Sequence, residues 1–257
     1  MTSTDDHRIL SKLPVFLTAF SDNHYHIARK WVIPTFRRLG KELVVYDLGL
    51  LENQSNALQQ FPFIKLKKFN YSEYPDYVQD LFQFRWKPLI IAEMLQKYEA
   101  VFYADSNFHT TNNISHLLDQ ITCQIGHECG YYNALMLSKA GHSIFAATDG
   151  RLYDYIPMDL HMSKTLEMGH AGMQLIYYTK DVRQNIMKWW VLCALEENCM
   201  APNGSEVECY FKGNAWTDYA GCHRQDQSVI SILLGNRNRY ALEKYTVQFG
   251  VSVHEQK

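Results

Sequence analysis

No apolar run in this sequence reaches the roughly 18 residues that a membrane helix needs. The opening residues, MTSTDDHRIL, are polar and hold no signal-peptide core. Charge of one sign is also missing. Lys and Arg number 25, Asp and Glu 27, and the formal net charge is −2. That argues against a nucleic-acid binder relying on a general basic surface. The short KLKK run (Lys65 to Lys68) reads instead as a solvated strand edge. No GxGxxG and no Walker loop occurs, so ordinary dinucleotide and ATP readings lose their best support. No CxxC pair is present, which argues against a structural zinc site. Internal repeats, low-complexity runs and linkers are absent too. The expectation is one mixed α/β domain over residues 14–245, between a flexible N-terminal segment (1–13) and a C-terminal tail (246–257).

Six cysteines are present: Cys123, Cys129, Cys193, Cys199, Cys209 and Cys222. Four sequons occur, at Asn53, Asn70, Asn113 and Asn203. Together they point to an oxidising secretory compartment. A secretory setting is expected, with an anchor or signal lying upstream of this sequence. The alternative is a cytoplasmic protein with six buried thiols. Cys199 with Cys209, Cys193 with Cys222 and Cys123 with Cys129 are the first pairings to consider. Six cysteines allow 15 connectivities, so these stay open.

The first half alternates strand and helix. LPVFLTAFSD reads as a buried strand. HYHIARKWVIPTFRRLG reads as a helix that Pro34 bends and Gly40 ends. KELVVYDLGL and FIKLKKFN follow as strands, FRWKPLIIAEMLQKY as a helix with Pro88 in its first turn, and AVFYADSN as a strand. This order predicts a mostly parallel α/β sheet. In the second half, HSIFAATDG and GMQLIYYT read as strands. DVRQNIMKWWVLCALEEN and HRQDQSVISILLGN read as helices. Of the pair Trp189-Trp190, helical spacing sends at least one ring to the core.

Ligands of open α/β sheets bind beyond the carboxyl ends of the strands. Three strands here end in polar clusters: Ser21-Asp22, Asp47 and Asp105-Ser106-Asn107. Oxygen ligands of this kind suit a hard cation, Mg²⁺ or Mn²⁺, which would offset charge on a departing phosphate. Taken singly, Asp105 and Asp226 have a plainer reading as turn and helix caps. His24 and His26 read as polar surface.

A strand ending in Asp-x-Asp is the signature of GT-A-type glycosyltransferases, and Asp105-Ser106-Asn107 resembles it with Asn in the last place. RWKPLIIAEML resembles the Lys-Pro helix of the glycogenin-type group, as does Asp226-Gln227 at the start of a later helix. WVLCALEENCMAPNGSEVEC and GCHRQDQSVISILL resemble an uncharacterised animal family of glycosyltransferase-like proteins. These resemblances together run from about residue 14 to about residue 240. They imply a GT-A-like fold, a Golgi or secretory lumen, and metal-dependent transfer of a sugar from a nucleotide-sugar donor, UDP-linked by first choice, to a glycan or protein acceptor. In that reading Asp105, Asn107 and His223 hold Mn²⁺ or Mg²⁺. Arg85 and Lys87 balance the diphosphate. Thr18, Phe20, Asp47 and Ser106 border the nucleotide. Asp226, with Gln227, sits near the anomeric carbon. The rival implication is a catalytically inactive relative that binds a glycan or partner, favoured by Asn107.

Overall fold

Val15–Phe20 (β1) alternates its side chains between two apolar layers. Leu17 and Ala19 face one, Phe16 and Phe20 the other. Such a strand must be covered on both faces, as parallel strands are. In the computed structural model, which describes residues 4–111, 118 and 134–247, β1 lies inside a six-stranded sheet. Its partners are Leu43–Asp47 (β2), Ile64–Lys68 (β3), Ala100–Ala104 (β4), Ala134–Met136 (β5) and Met173–Tyr177 (β8), in the order β3-β2-β1-β4-β8-β5. β1 to β4 are mutually parallel, and β8 runs antiparallel between β4 and β5. Lys139–Ser143 (β6) and Glu167–Gly169 (β7) form a separate two-stranded sheet.

The helices divide between the two faces. Trp86–Tyr98, Lys188–Leu195 and Gln225–Arg237 cover the Leu17 face with Ile90, Trp190 and Ile230. Val32–Leu39 and Glu52–Gln59 cover the Phe16 face with Phe36 and Leu58. The helix expected over residues 24–40 is two helices, Asp22–Lys30 and Val32–Leu39, broken at Trp31. Pro34 has no N–H to return to the Lys30 carbonyl, so the helical ladder fails there. Gly40 ends the second helix in the left-handed region, at φ 62°.

Three expectations need correction. Glu52–Gln59 is a helix that the sequence reading passed over, although parallel β2 and β3 require a crossover between them. HSIFAATDG is not a strand: β6 stops at Ser143, and Phe145–Ala147 is a 3₁₀ turn. The segment expected to be flexible contains the helix Thr4–Leu10, which buries Ile9 and Leu10 and pairs Arg8 with Glu99 at 2.7 Å. The helical run 180–195 contains a π-helical stretch, Arg183–Met187, and buries Trp190 while Trp189 stays exposed. No helix among the described residues is long and apolar enough to cross a membrane.

The disulfides also differ from the first pairings considered. Cys193 joins Cys199, and Cys209 joins Cys222. The chain turns out of its helix at Glu196, which brings residue 199 back to residue 193 with Cα atoms 5.1 Å apart. Cys209 and Cys222 stand at the two stems of one loop, 4.9 Å apart. Cys123, Cys129 and Asn113 lie outside the described residues.

Candidate active site

The strand order reverses between β1 and β4, since β2 leaves β1 on one side and β4 lies on the other. Parallel sheets open a crevice at such a point, beyond the carboxyl ends of the strands. A cleft of about 360 Å³ sits there. Phe20 at the end of β1, Ser21 after it, and Asp105, Ser106 and Asn107 after β4 line it. Phe84, Trp86 and Arg224 contribute to its lining.

Asp105 is fixed from several directions. Its backbone N–H donates to the Gly172 carbonyl at 2.8 Å, a consequence of β8 running antiparallel beside β4. The Tyr103 hydroxyl donates to Oδ1 at 2.6 Å. Lys87 Nζ lies 3.3 Å from the same oxygen. Oδ2 faces Gly172, where a Cβ would stand only 2.9 Å from it. Gly172 therefore keeps room for the carboxylate.

Lys87 belongs to the first turn of Trp86–Tyr98 and is only 3% exposed in its side chain. It bridges two carboxylates, Asp105 and Asp226, the latter at 2.9 Å. The rings of Phe84, Tyr103 and Trp86 surround it with centroids 5.3, 5.2 and 5.8 Å from Nζ. Burial works against the ammonium, but the two carboxylates outweigh it and raise its pKa. Burial pushes the Asp226 carboxyl up, against the pull of Lys87. Burial, then Asp105, holds the Tyr103 phenol far above its ordinary range, so it remains a donor.

The structure gathers some of the sequence-predicted residues and separates others. Asp105, Ser106, Asn107 and Phe20 border the cleft. Lys87 is enclosed between two carboxylates and is not among the cleft-lining residues, which takes it from the diphosphate role expected of it. Arg85 is also removed from that role. Its guanidinium donates to the carbonyls of Ala194 (3.0 Å), Glu196 (2.9 Å) and Glu197 (2.5 Å). Thr18 is fully buried in mid-strand. Asp47 is a turn cap whose Oδ1 accepts from the N–H groups of Gly49 and Leu50. Asp226 and Gln227 are buried and are not among the cleft-lining residues; Asp226 holds Lys87 in place.

His223 is not free to ligate a metal. Its Nδ1 accepts from the Asp149 N–H at 3.2 Å, and its Nε2 lies 3.0 Å from the Met200 carbonyl, an arrangement that requires the Nε2–H tautomer. Burial holds its pKa down at about 4. The described residues do not fit a metal cage built by the protein. Asp105 Oδ1 is committed to Tyr103 and Lys87, and Asn107 brings no charge. No three His, Cys, Asp or Glu side chains gather at one point among the described residues.

His223 gives a pH prediction. An unfolded histidine titrates near 6.5, and the folded one at about 4. Its contribution is present above pH 6.5 and is lost as pH falls through that window. The loss is roughly 3 kcal/mol by pH 4. Urea unfolding at stepped pH measures it. The His223→Gln variant should show a flatter profile over this window, and parallel profiles would remove His223 as the cause.

Several cleft residues escaped the sequence reading, Arg224 and His24 among them. Arg224 lines the cleft, with Nη1 3.4 Å from the Val207 carbonyl. Its signal was its place inside the Cys-His-Arg-x-Asp-Gln run. His24 lines it as well, after being read as surface. Burial lowers its pKa, with Asp105 opposing.

A bifunctional glycosyltransferase, WbbM, aligns with 93% of this chain at a TM-score of 0.51 and 14% identity. The fold is GT-A-like. The chain spans 39% of that protein's length. The galactosyltransferase LgtC, in complex with donor and acceptor sugar analogues, aligns over 85% of this chain and 70% of its own, at a TM-score of 0.49 and 17% identity. Mouse xyloside xylosyltransferase 1 aligns over 92% of this chain and 84% of its own, at 0.46 and 10%. A family model described as a protein of unknown function (DUF1647) matches residues 2–92. No curated protein matches the chain.

Proposed function

We propose that this chain is a glycosyltransferase domain that takes its sugar from a nucleoside diphosphate donor, with the uridine form first in order of testing. The observation that carries the reading is the cleft at the β1/β4 reversal, with Asp105 fixed at its floor and Arg224 on its wall. In this reading the bond between the anomeric carbon and the donor phosphate oxygen breaks, the acceptor hydroxyl oxygen forms the new bond to that carbon, and the hydroxyl proton passes to the departing diphosphate. Arg224 offsets charge on the departing diphosphate. Asp105 faces the positive charge that develops at the anomeric carbon, as carboxylates do in sugar transfer. The resemblance of the Lys-Pro helix to the glycogenin-type group belongs to this reading. The two disulfides support a lumenal or extracellular setting.

A second reading, a non-catalytic glycan- or partner-binding relative, is favoured by one observation: Lys87 already neutralises Asp105. Thermal unfolding with a panel of nucleoside diphosphates, with and without Mn²⁺, separates the two. A ligand that binds only the folded state raises the melting temperature. We expect a rise with UDP or a related diphosphate, reduced in Arg224→Ala. No rise on a folded, oxidised sample would leave the second reading in possession.

Gly172→Ala tests the placement of Asp105. The added methyl would push the carboxylate off its position. Turnover should fall about tenfold or more, since misplacing one group by an ångström has that scale of effect. The unfolding midpoint should move little. Full turnover would dissociate Asp105 from the reaction.

A further inference from the structure

Residues 209–222, CYFKGNAWTDYAGC, make one loop closed by Cys209–Cys222. Four large rings stand in solvent along it: Tyr210 at 64% exposure, Phe211 at 43%, Trp216 at 37% and Tyr219 at 48%. Aromatic side chains gain most from burial, so this concentration on a single surface loop calls for an occupant.

The loop is firmly held. Besides the disulfide, the Ser143 N–H donates to the Ala215 carbonyl at 3.0 Å, and the Ser143 hydroxyl donates to the Trp216 carbonyl at 2.7 Å. The Ala220 N–H donates to the Ala146 carbonyl at 2.8 Å. Within the loop, Asp218 Oδ2 accepts from the Asn214 N–H at 2.9 Å. Rings fixed beforehand lose little conformational freedom when they bind.

The loop encloses a hollow of about 580 Å³, lined by Tyr210, Phe211, Lys212, Asn214, Asp218 and Tyr219. That volume is in the range of small-ligand sites. Its lining combines three aromatic rings with an amide, a carboxylate and an ammonium group. A pyranose has the matching make-up: a face of polarised C–H bonds that meets the negative face of a ring, and an edge of hydroxyls for polar groups. A protein partner of ordinary kind would call for a more continuous apolar centre. A phosphate chain would call for excess positive charge, whereas the lining holds one ammonium, Lys212, and one carboxylate, Asp218.

Location adds a second argument. Val207 and Glu208, just before Cys209, and Arg224, just after Cys222, line the cleft that holds Asp105. The two stems of the loop thus border the cleft, and the hollow is lined by loop residues between those stems. We propose that the loop closed by Cys209–Cys222 is a carbohydrate-binding subsite that receives the acceptor glycan beside the donor cleft. The acceptor role rests on the glycosyl-transfer reading above; the binding of carbohydrate does not.

The test uses the oxidised full chain on a printed glycan array, followed by calorimetric titration of the best-bound free oligosaccharide. Binding is expected. Tyr210→Ala combined with Phe211→Ala should weaken it about tenfold or more, the scale on which stacked rings contribute. Tyr210→Phe, which keeps the ring, should retain most of it. Cooperative thermal unfolding and unchanged nucleoside diphosphate binding show that the variants stay folded. Absence of glycan binding by the folded wild type overturns the subsite, as does binding that survives the double alanine variant. Diphosphate binding without glycan binding removes the subsite and leaves the transfer reading. Glycan binding without diphosphate binding removes the transfer reading and leaves a carbohydrate-binding loop.

Discussion

Lys87→Met is expected to lower the unfolding free energy by roughly 3–5 kcal/mol, the usual cost of removing one partner from a buried ion pair. The variant has nearly the volume of lysine but leaves two carboxylates facing each other without a cation. Asp226, with its side chain 6% exposed, supplies most of the cost, whereas Asp105, at 35%, is partly relieved by solvent. The deficit should depend on pH in a defined sense. Without Lys87 the native pKa of Asp226 rises further above the unfolded value near 3.9. The folded variant then binds more protons than its unfolded chain. Its stability falls as pH rises through that window, and the gap to the wild type narrows as pH falls below it. Adding Asp226→Asn should restore much of the loss. Urea unfolding of the single and double variants at two pH values measures all of this. A Lys87→Met protein as stable as the wild type would mean that the bridge is not one.

The second large effect is expected at Arg85. The helix Lys188–Leu195 ends with carbonyls that have no intrahelical partner. Arg85 donates to the Ala194 carbonyl at that end and to the Glu196 and Glu197 carbonyls just beyond it, while the Tyr77 hydroxyl takes that of Leu195 at 2.5 Å and its ring packs 4.7 Å from the guanidinium carbon. Arg85→Ala takes the donor from the buried Ala194 carbonyl and the part-buried Glu197 carbonyl beside the Cys193–Cys199 turn, and leaves the Glu196 carbonyl with the Cys199 N–H alone. A loss of about 3 kcal/mol or more is expected. Arg85→Lys should recover only part, because an ammonium cannot reproduce the planar fork. Nucleoside diphosphate binding by the folded fraction should be unchanged. A variant with wild-type stability and failed diphosphate binding would return Arg85 to the role the sequence first suggested.

Arg85 and Lys87 show what could be read in advance and what could not. Their charges were visible, and so was their position at the start of a helix. Their burial was not, because it depends on carbonyls at 194–197 and a carboxylate at 226, which only the tertiary fold brings near. Asp105 was legible because a buried strand ended on it, and the parallel half of the sheet followed from the same apolar runs. The helix Glu52–Gln59 left little periodic signal, since only Gln54 and Leu58 are buried. His223 is a ligand only in what the resemblance implies, whereas its two nitrogens serve neighbouring backbone groups.

The Lys87 bridge joins the first half of the chain to its last long helix. During synthesis, β1 to β4 and the Trp86–Tyr98 helix leave the ribosome well before Asp226 does. Until then Lys87 has Asp105 as its only carboxylate partner in the bridge, and the Gln225–Arg237 helix is not there to cover it. Contacts so distant along the chain form late. The floor of the cleft is therefore expected to become rigid only when the chain is nearly complete, so an unfinished chain would hold much of the parallel sheet without a working site.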